Sequence, residues 1–90
     1  MLNGRVTIIN RLGLHARAAA QLVRLSSGFH SKIKLIRTDN SVIADAKSIL
    51  SVLTLAASKG VELGIEIEGD DEKAAFEAVQ KIFEDGFGEL

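Results

Sequence analysis

Polar and apolar residues alternate in four short segments of the chain, and each segment predicts a strand with one buried face. The clearest is VELGIEIE at 61–68, where every second residue is Val, Leu or Ile and glutamates fill most of the places between them. The other three are RVTII at 5–9, SKIKLIRT at 31–38 and the segment 42–46. The polar run TDNS at 38–41 predicts a turn that joins the second and third strands into an antiparallel hairpin.

Three other segments have apolar residues at helical spacing. In residues 16–27 a polar stripe of Arg17, Gln21 and Arg24 opposes an apolar face of Ala19, Ala20, Leu22, Val23 and Ser26. Gly28 is placed to end this helix. A short helix begins near Ser48 and ends before Gly60, and the last one runs from the acids at 70–72 to Gly86.

The predicted order is therefore β α β β α β α, an α+β fold. One-faced strands and helices with a single apolar stripe assemble most simply as a four-stranded antiparallel sheet covered on one face by three helices, an open-faced β-sandwich. Ninety residues with 47% hydrophobic content support one core, so residues 1–90 are predicted to form a single domain.

Composition narrows the classes of function. The chain has no cysteine and only two histidines, which excludes thiol chemistry and makes a poor metal site, so we predict no metal and no cofactor. His30 has no motif around it and is interpreted as a surface residue. Neither a signal segment nor a membrane span is present, and we expect a cytoplasmic protein that does not insert into membranes.

Charge is distributed unevenly behind a net value of −1. Residues 1–38 carry seven basic side chains and no acid, whereas residues 39–90 carry four lysines and twelve acids. This asymmetry indicates an anionic ligand or partner. A small nucleic-acid-binding domain is one candidate, but the chain has no Trp or Tyr and only four Phe, so it lacks the aromatic residues that stack on bases.

His15 is the candidate for chemistry. Gly13 allows a sharp turn after the first strand, which puts His15 at or beside the N-cap of the first helix, where unpaired amides and the helix dipole favour an anion. The same positive end should keep the ring neutral near pH 7, with a lone pair able to attack, and Arg17 is close enough to neutralise a group on the ring. The alternative is an ordinary capping or surface histidine.

Several segments together resemble the HPr family of phosphocarrier proteins of the bacterial phosphotransferase system. They are GLHARAAA at 13–20, AKSILSVLTLAASKG at 46–60 and VELGIEIEG at 61–69. The resemblance implies that His15 accepts a phosphoryl group from phosphorylated enzyme I and passes it to enzyme IIA domains, that Arg17 stabilises it, and that the protein works as a monomeric carrier and not as an enzyme. The segment AKSIL around Ser48 resembles the sugar branch of the family, and we expect a role in sugar uptake and its regulation. The alternative is a nitrogen-related regulatory branch, which the segments NRLG before His15 and GF near the C-terminus resemble.

The resemblance also gives roles to the second helix. It implies that Ser48, which caps this helix, is a regulatory site for a serine kinase and phosphorylase in some members. Ile49, Leu50 and Leu53 are predicted to dock partners, with Arg17 and Arg24 at the rim, because the helix has more apolar residues than one buried side can hold. One position departs from the family: Ala18 stands where a proline is usual, which adds a backbone donor and removes a fixed φ.

Overall fold

A computed structural model describes all residues 1–90. The strands are β1 (Leu2–Thr7), β2 (Lys32–Arg37), β3 (Ile43–Asp45) and β4 (Glu62–Glu68), and the helices are α1 (Ala16–Ser27), α2 (Ile49–Leu53) and α3 (Glu72–Glu84), with a final 3₁₀ turn at Gly86–Gly88. The predicted order and the class, a four-stranded antiparallel sheet with three helices, are confirmed. None of the helices has both the length and the apolar composition that a membrane span requires.

The strands lie in the order β1-β4-β2-β3, with every neighbouring pair antiparallel. β4 lies inside the sheet. The predicted alternation of buried and polar residues along it is confirmed, since Leu63, Ile65 and Ile67 are buried against the helices. On the open face Lys34 of β2 is opposite Glu66 of β4 and Asp45 of β3, so opposite charges meet across strands. The face without helices is therefore polar, because the polar residues of each alternating strand lie on it.

The core lies between the sheet and the helices. It contains 20 buried hydrophobic residues in one cluster, and each large aliphatic side chain in it contributes about 1.5–3 kcal/mol through burial. α1 packs against α2 and α3, while α3 packs against β1 and β4. Ala18 and Ala19, both fully buried, let α1 approach closely, and this places the N-terminus of α1 beside the end of the chain.

The predicted bounds of β1 are wrong. β1 begins at Leu2 instead of residue 5 and ends at Thr7, because Asn3 and Gly4 pair with β4 through backbone groups that side-chain alternation does not reveal. α2 begins next to Ser48 and ends before Gly60, as predicted, and spans the five residues Ile49–Leu53. After it the backbone turns at Ala56, which has a φ of 49°.

Arg37 explains why α2 ends where it does. Its Nη1 donates hydrogen bonds to the carbonyl oxygens of Leu55 (2.9 Å) and Ala56 (3.1 Å), which follow the helix and have no helical partner. Its Nε and Nη2 donate to the carboxylate of Asp39, and this hydrogen bond is the main reason why the pKa of Asp39 is lowered. A side chain from β2 thus fixes the turn after α2.

Asp71 fastens the start of α3 to the turn before β2. Its carboxylate accepts hydrogen bonds from the Ser31 hydroxyl and from the backbone amides of His30 and Ser31. These bonds, that of the Ser31 hydroxyl above all, lower its pKa to about 2. Because this pKa lies below its usual value near 3.8, the stabilisation is present above pH 4 and is lost as the pH falls through 2.

Replacing Asp71 by Asn should therefore flatten the acid limb of the stability curve. We expect Asp71→Asn to be less stable than the wild type at pH 6, and the difference to shrink towards pH 2. Urea unfolding followed by circular dichroism between pH 2 and 7 measures this. Asp70→Asn is the control, since the one contact of Asp70 is an exposed ion pair with His30 at 3.7 Å. A deficit of Asp71→Asn that is the same at every pH would contradict the assignment.

Candidate functional site

His15 caps the N-terminus of α1 with its own ring. Its backbone is extended (φ −72°, ψ 177°), and Nδ1 accepts a hydrogen bond from the backbone amide of Arg17 at 3.3 Å. The side chain is 25% exposed, so the ring is neither in the core nor free in solvent. The turn before it is held by Gly13, whose φ of 66° is in the left-handed region, and by the Leu14 amide, which donates to the carbonyl of Ala57.

Gly13 should be hard to replace. A Cβ there would lie against the carbonyl oxygen of Ala57 and 2.8 Å from the Cα of Ser58. Gly13→Ala is expected to lower the free energy of unfolding by about 1–3 kcal/mol, from backbone strain and this clash. Gly88→Ala is the control, because Gly88 has a similar φ of 72° with open space around it and incurs strain alone. Equal losses in the two variants, measured by urea unfolding, would show that the clash is not real.

The first turn of α1 offers donors to an anion. The amide of Arg17 points at Nδ1 of His15, and the amides of Ala16 and Ala18 make no hydrogen bond within the protein. Such unpaired amides and the positive end of the helix dipole favour negative charge at this place. Ala18 contributes an N–H that a proline would lack. The oxygens of a phosphoryl group bonded to Nδ1 would thus lie near backbone N–H donors.

Glu89, which sequence analysis missed, is the other half of the site. One carboxylate oxygen, Oε2, lies 2.6 Å from Nε2 of His15 and accepts hydrogen bonds from Nη2 (3.0 Å) and Nε (3.3 Å) of Arg17. The second oxygen, Oε1, accepts one from Nδ2 of Asn10 at 3.0 Å. The chain end therefore joins the loop after β1 to the start of α1.

These contacts change the acidity of Glu89. The hydrogen bond from Asn10, followed by those from Arg17 and His15, lowers its pKa to about 2. Glu89 is thus a carboxylate near neutral pH. Its contribution to stability is complete above about pH 4.5 and disappears as the pH falls through 2.

Local packing brings Glu89 to the site. Phe87 is buried with a φ of 55°, and its ring meets that of Phe83 edge to face, with the centroids 5.1 Å apart. Gly86 and Gly88, both with positive φ, make the tight turn after α3. The only signal in the sequence is a phenylalanine between two glycines, and it reveals the turn but not the partner of the following acid.

Arg17 contacts the site through two different groups, its guanidinium and its backbone amide. The guanidinium is engaged with Glu89 on the Nε2 side of the ring, whereas only the backbone amide of Arg17 approaches Nδ1. Its Nη1 makes no hydrogen bond, and the side chain is 67% exposed. The reason is electrostatic, since the nearby carboxylate attracts the cation. Arg17 therefore keeps a free edge for an incoming anion.

A shallow cavity of about 490 Å³ adjoins the site. Two arginines on its wall make it positive apart from Glu89. Its lining residues are Arg11, Leu12, Arg17, Gln21, Phe87, Gly88 and Glu89. The cavity reaches Arg17 and Glu89, the two residues that contact each other beside His15, and the two arginines favour an anionic group there.

The apolar residues of α2 divide into two sets. Val52 and, just beyond the helix, Leu55 are buried, whereas Ile49, Leu50 and Leu53 are exposed, Leu50 to 75%. Ser48 is the N-cap of α2, and its hydroxyl oxygen accepts a hydrogen bond from the amide of Ser51 at 3.3 Å. A cluster of exposed apolar residues on a helix packed against α1 has the character of a protein-binding surface.

Two other predicted residues lie on the surface. Arg24 is exposed on α1, two turns beyond Arg17, and makes no ion pair. His30 is exposed beside Asp70 and Asp71, away from His15, in a group whose ligand atoms lie within 4.8 Å of one another. Because Asp71 uses both carboxylate oxygens to hold the turn before β2, this group has a structural explanation.

Comparison with known proteins gives a consistent result. A family model described as "PTS HPr component phosphorylation site" matches residues 2–85. The phosphocarrier protein HPr of Cupriavidus necator is 45% identical over 99% of this chain and 98% of the relative, and the phosphocarrier protein NPr of Proteus mirabilis is 44% identical over 94% and 93%. The crystal structure of HPr-C-His from Thermoanaerobacter tengcongensis superposes with a TM-score of 0.94 at 37% identity, covering 100% of this chain and 99% of that one.

Proposed function

The chain belongs to the HPr and NPr family of phosphocarrier proteins of the phosphotransferase system, and on that premise we propose that Nδ1 of His15 carries the phosphoryl group. One observation supports this choice of atom above others. Nδ1 faces the amide at the start of α1, whereas Nε2 is covered by the carboxylate of Glu89. A phosphoryl group on Nδ1 meets donors, and one on Nε2 would meet a negative charge.

The neighbours of Nδ1 supply the rest of the mechanism. The neutral ring attacks phosphorus with its Nδ1 lone pair, and the amides of the first turn of α1 receive the phosphoryl oxygens. Arg17 adds charge from the solvent side through its free Nη1. The partners of this family are enzyme I as donor and enzyme IIA domains as acceptors, so the chain transfers a group stoichiometrically and does not turn over a small substrate.

Labelled phosphoenolpyruvate and purified enzyme I test this function. The wild-type chain should take up one label that is lost in acid and kept in alkali, as expected of a phosphohistidine, and should pass it to an enzyme IIA domain. An HPr of known activity is the positive control for enzyme I. If this control is labelled and the present chain is not, it is not a carrier.

The same assay assigns the branch of the family. HPr and NPr relatives match the chain at nearly equal identity, and the branches differ in the IIA-type domain that receives the phosphoryl group. We propose the sugar branch, since the segment AKSIL around Ser48 resembles it. Faster transfer to a sugar-specific IIA domain than to a nitrogen-related one supports this, and the reverse order assigns the regulatory branch.

Ser48 is proposed as a regulatory site for a serine kinase and a matching phosphorylase. Its hydroxyl is at the N-terminus of α2, beside Ile49 and Leu50, so a phosphate there adds negative charge to the surface that we propose for docking. The helix tolerates this charge, and partner binding does not. We further propose that the chain works as a monomer in the cytoplasm, where its phosphoryl donor is made.

Leu50 tests the docking surface, which we define as Ile49, Leu50 and Leu53 with Arg17 and Arg24 at its rim. Leu50→Gln should weaken binding to enzyme I by about tenfold or more, since exposed apolar residues at the centre of an interface dominate affinity. The folding free energy should change by less than about 0.5 kcal/mol. Ile43→Thr, which removes an exposed apolar side chain from β3, is the control. Equal calorimetric affinities of the two variants would place docking elsewhere.

A further inference from the structure

Glu89 lies outside residues 2–85, which the family model matches, and the function proposed above does not use it. Its side chain is only 14% exposed. Its carboxylate contacts three side chains, those of Asn10, His15 and Arg17. Both oxygens of this little-exposed carboxylate are engaged, and the ring of His15 is among its partners, which points to a role in the chemistry.

The hydrogen bonds fix where the proton of the ring lies. Glu89 is ionised and can only accept, so at 2.6 Å the Nε2 atom of His15 must be the donor. On the other side of the ring the amide of Arg17 can only donate, so Nδ1 must be the acceptor. Both contacts demand one tautomer, with the proton on Nε2 and the lone pair on Nδ1.

We propose that Glu89 is a positioning residue for phosphoryl transfer, which holds the His15 ring in the tautomer whose Nδ1 is the nucleophile. The inference rests on the proposed role of His15. Asn10 keeps the carboxylate in place: its own side chain is fully buried, and its Nδ2 also donates to the carbonyl of Gly13 at 2.8 Å. The arrangement has the logic of a carboxylate that orients a histidine in hydrolytic triads.

The transfer step balances with this tautomer. The Nδ1 lone pair forms the new bond to phosphorus, while the bond from phosphorus to the phosphorylated donor breaks and its electron pair stays with the donor. The His15 ring becomes a cation that keeps its Nε2 proton, and Glu89 shares this charge through the same hydrogen bond. The charged groups around the ring are thus Glu89 and Arg17, with Arg11 on the wall of the adjoining cavity.

An amide at position 89 reverses the geometry. In Glu89→Gln the donor Asn10 keeps the amide oxygen on its side, so the NH₂ group turns towards Nε2 of His15. That group can donate to an Nε2 lone pair, so the contact at Nε2 no longer requires a proton there, and only the 3.3 Å contact from the Arg17 amide still favours the Nε2–H tautomer. A share of the molecules then carries the ring proton on Nδ1. The atom that attacks phosphorus is then blocked in part of the molecules.

Nitrogen NMR of the unphosphorylated protein tests the inference directly. With ¹⁵N-labelled protein at pH about 9, where imidazole is neutral, the ring shifts should show the Nε2–H tautomer in the wild type. The Glu89→Gln variant should show a substantial Nδ1–H population. The control is Glu84→Gln, since Glu84 is exposed near the end of α3 and makes no hydrogen bond or ion pair; it should match the wild type. Glu89→Asp, which keeps the acceptor, should largely retain the wild-type tautomer.

Kinetics with enzyme I complete the test. Glu89→Gln should lower the maximal rate of phosphoryl uptake by at least about tenfold and leave the KM for the chain nearly unchanged, because docking does not involve the ring tautomer. An unchanged tautomer, or an unchanged rate, overturns the inference. If the wild-type chain takes up no label, the proposed role of His15 is refuted. The NMR experiment would still show whether Glu89 sets the tautomer of the ring, so the two failures can be told apart.

Discussion

A His15→Ala variant is expected to take up no acid-labile label from enzyme I and phosphoenolpyruvate, a loss of at least about a thousandfold relative to the wild type. The nucleophile itself is removed, and no other imidazole lies at the start of a helix with an amide facing its ring. The change should not unfold the protein, because the ring is partly exposed and outside the core. Quantitative autoradiography, with circular dichroism as a check of folding, measures both effects.

His30→Ala is the matched control for this experiment. His30 is the only other histidine, is exposed, and lies at the turn before β2 beside Asp70. Its removal should leave labelling at the wild-type level. Equal label in His15→Ala and His30→Ala would exclude His15 as the acceptor of the phosphoryl group.

Reversing the charge at position 17 should slow phosphoryl uptake by about a hundredfold to a thousandfold, since the positive charge and the free Nη1 donor of Arg17 are replaced by a carboxylate that repels the phosphoryl group. Thermal stability should change little in Arg17→Glu. The Arg17 side chain is 67% exposed and its only partner is Glu89, so the fold does not depend on it. Single-turnover labelling and differential scanning calorimetry give the two numbers to compare.

Lys73→Glu is the control for Arg17→Glu, because it makes the same change of net charge near the N-terminus of α3, on an exposed residue without an ion pair. It should leave the rate of labelling almost unaffected. A large fall in melting temperature for Arg17→Glu, with a rate loss no greater than that of Lys73→Glu, would make Arg17 a structural residue.

Elements whose cause is local were predictable from the sequence. The bounds of α1 were predicted correctly from its polar stripe, Arg17, Gln21 and Arg24, and from the glycine at 28. The alternation at 61–68 identified β4. Where tertiary contacts decide the end of an element, the sequence left that end open. α2 has apolar residues enough for a longer helix, but Arg37, from a distant strand, binds the carbonyls of Leu55 and Ala56 and fixes a turn instead.

The site was half predictable for the same reason. The position of His15 at a helix start follows from Gly13 and the stripe of α1, which are its neighbours in sequence. Glu89 lies 74 residues further on and reaches the ring only because Phe87 packs on Phe83 and the chain turns back. No periodicity or motif connects two such distant residues. The contact of the Arg17 side chain with this carboxylate was not predictable for the same reason.

The central claim is that the ring nitrogen facing the amides of α1 receives the phosphoryl group. Phosphorus and nitrogen NMR of the ¹⁵N-labelled chain, phosphorylated by enzyme I, identifies the bonded atom through the shifts of the ring nitrogens and their coupling to phosphorus. A phosphoryl group on Nδ1 of His15 is the predicted result. Phosphorus bonded to Nε2, or to any other residue, would contradict the account.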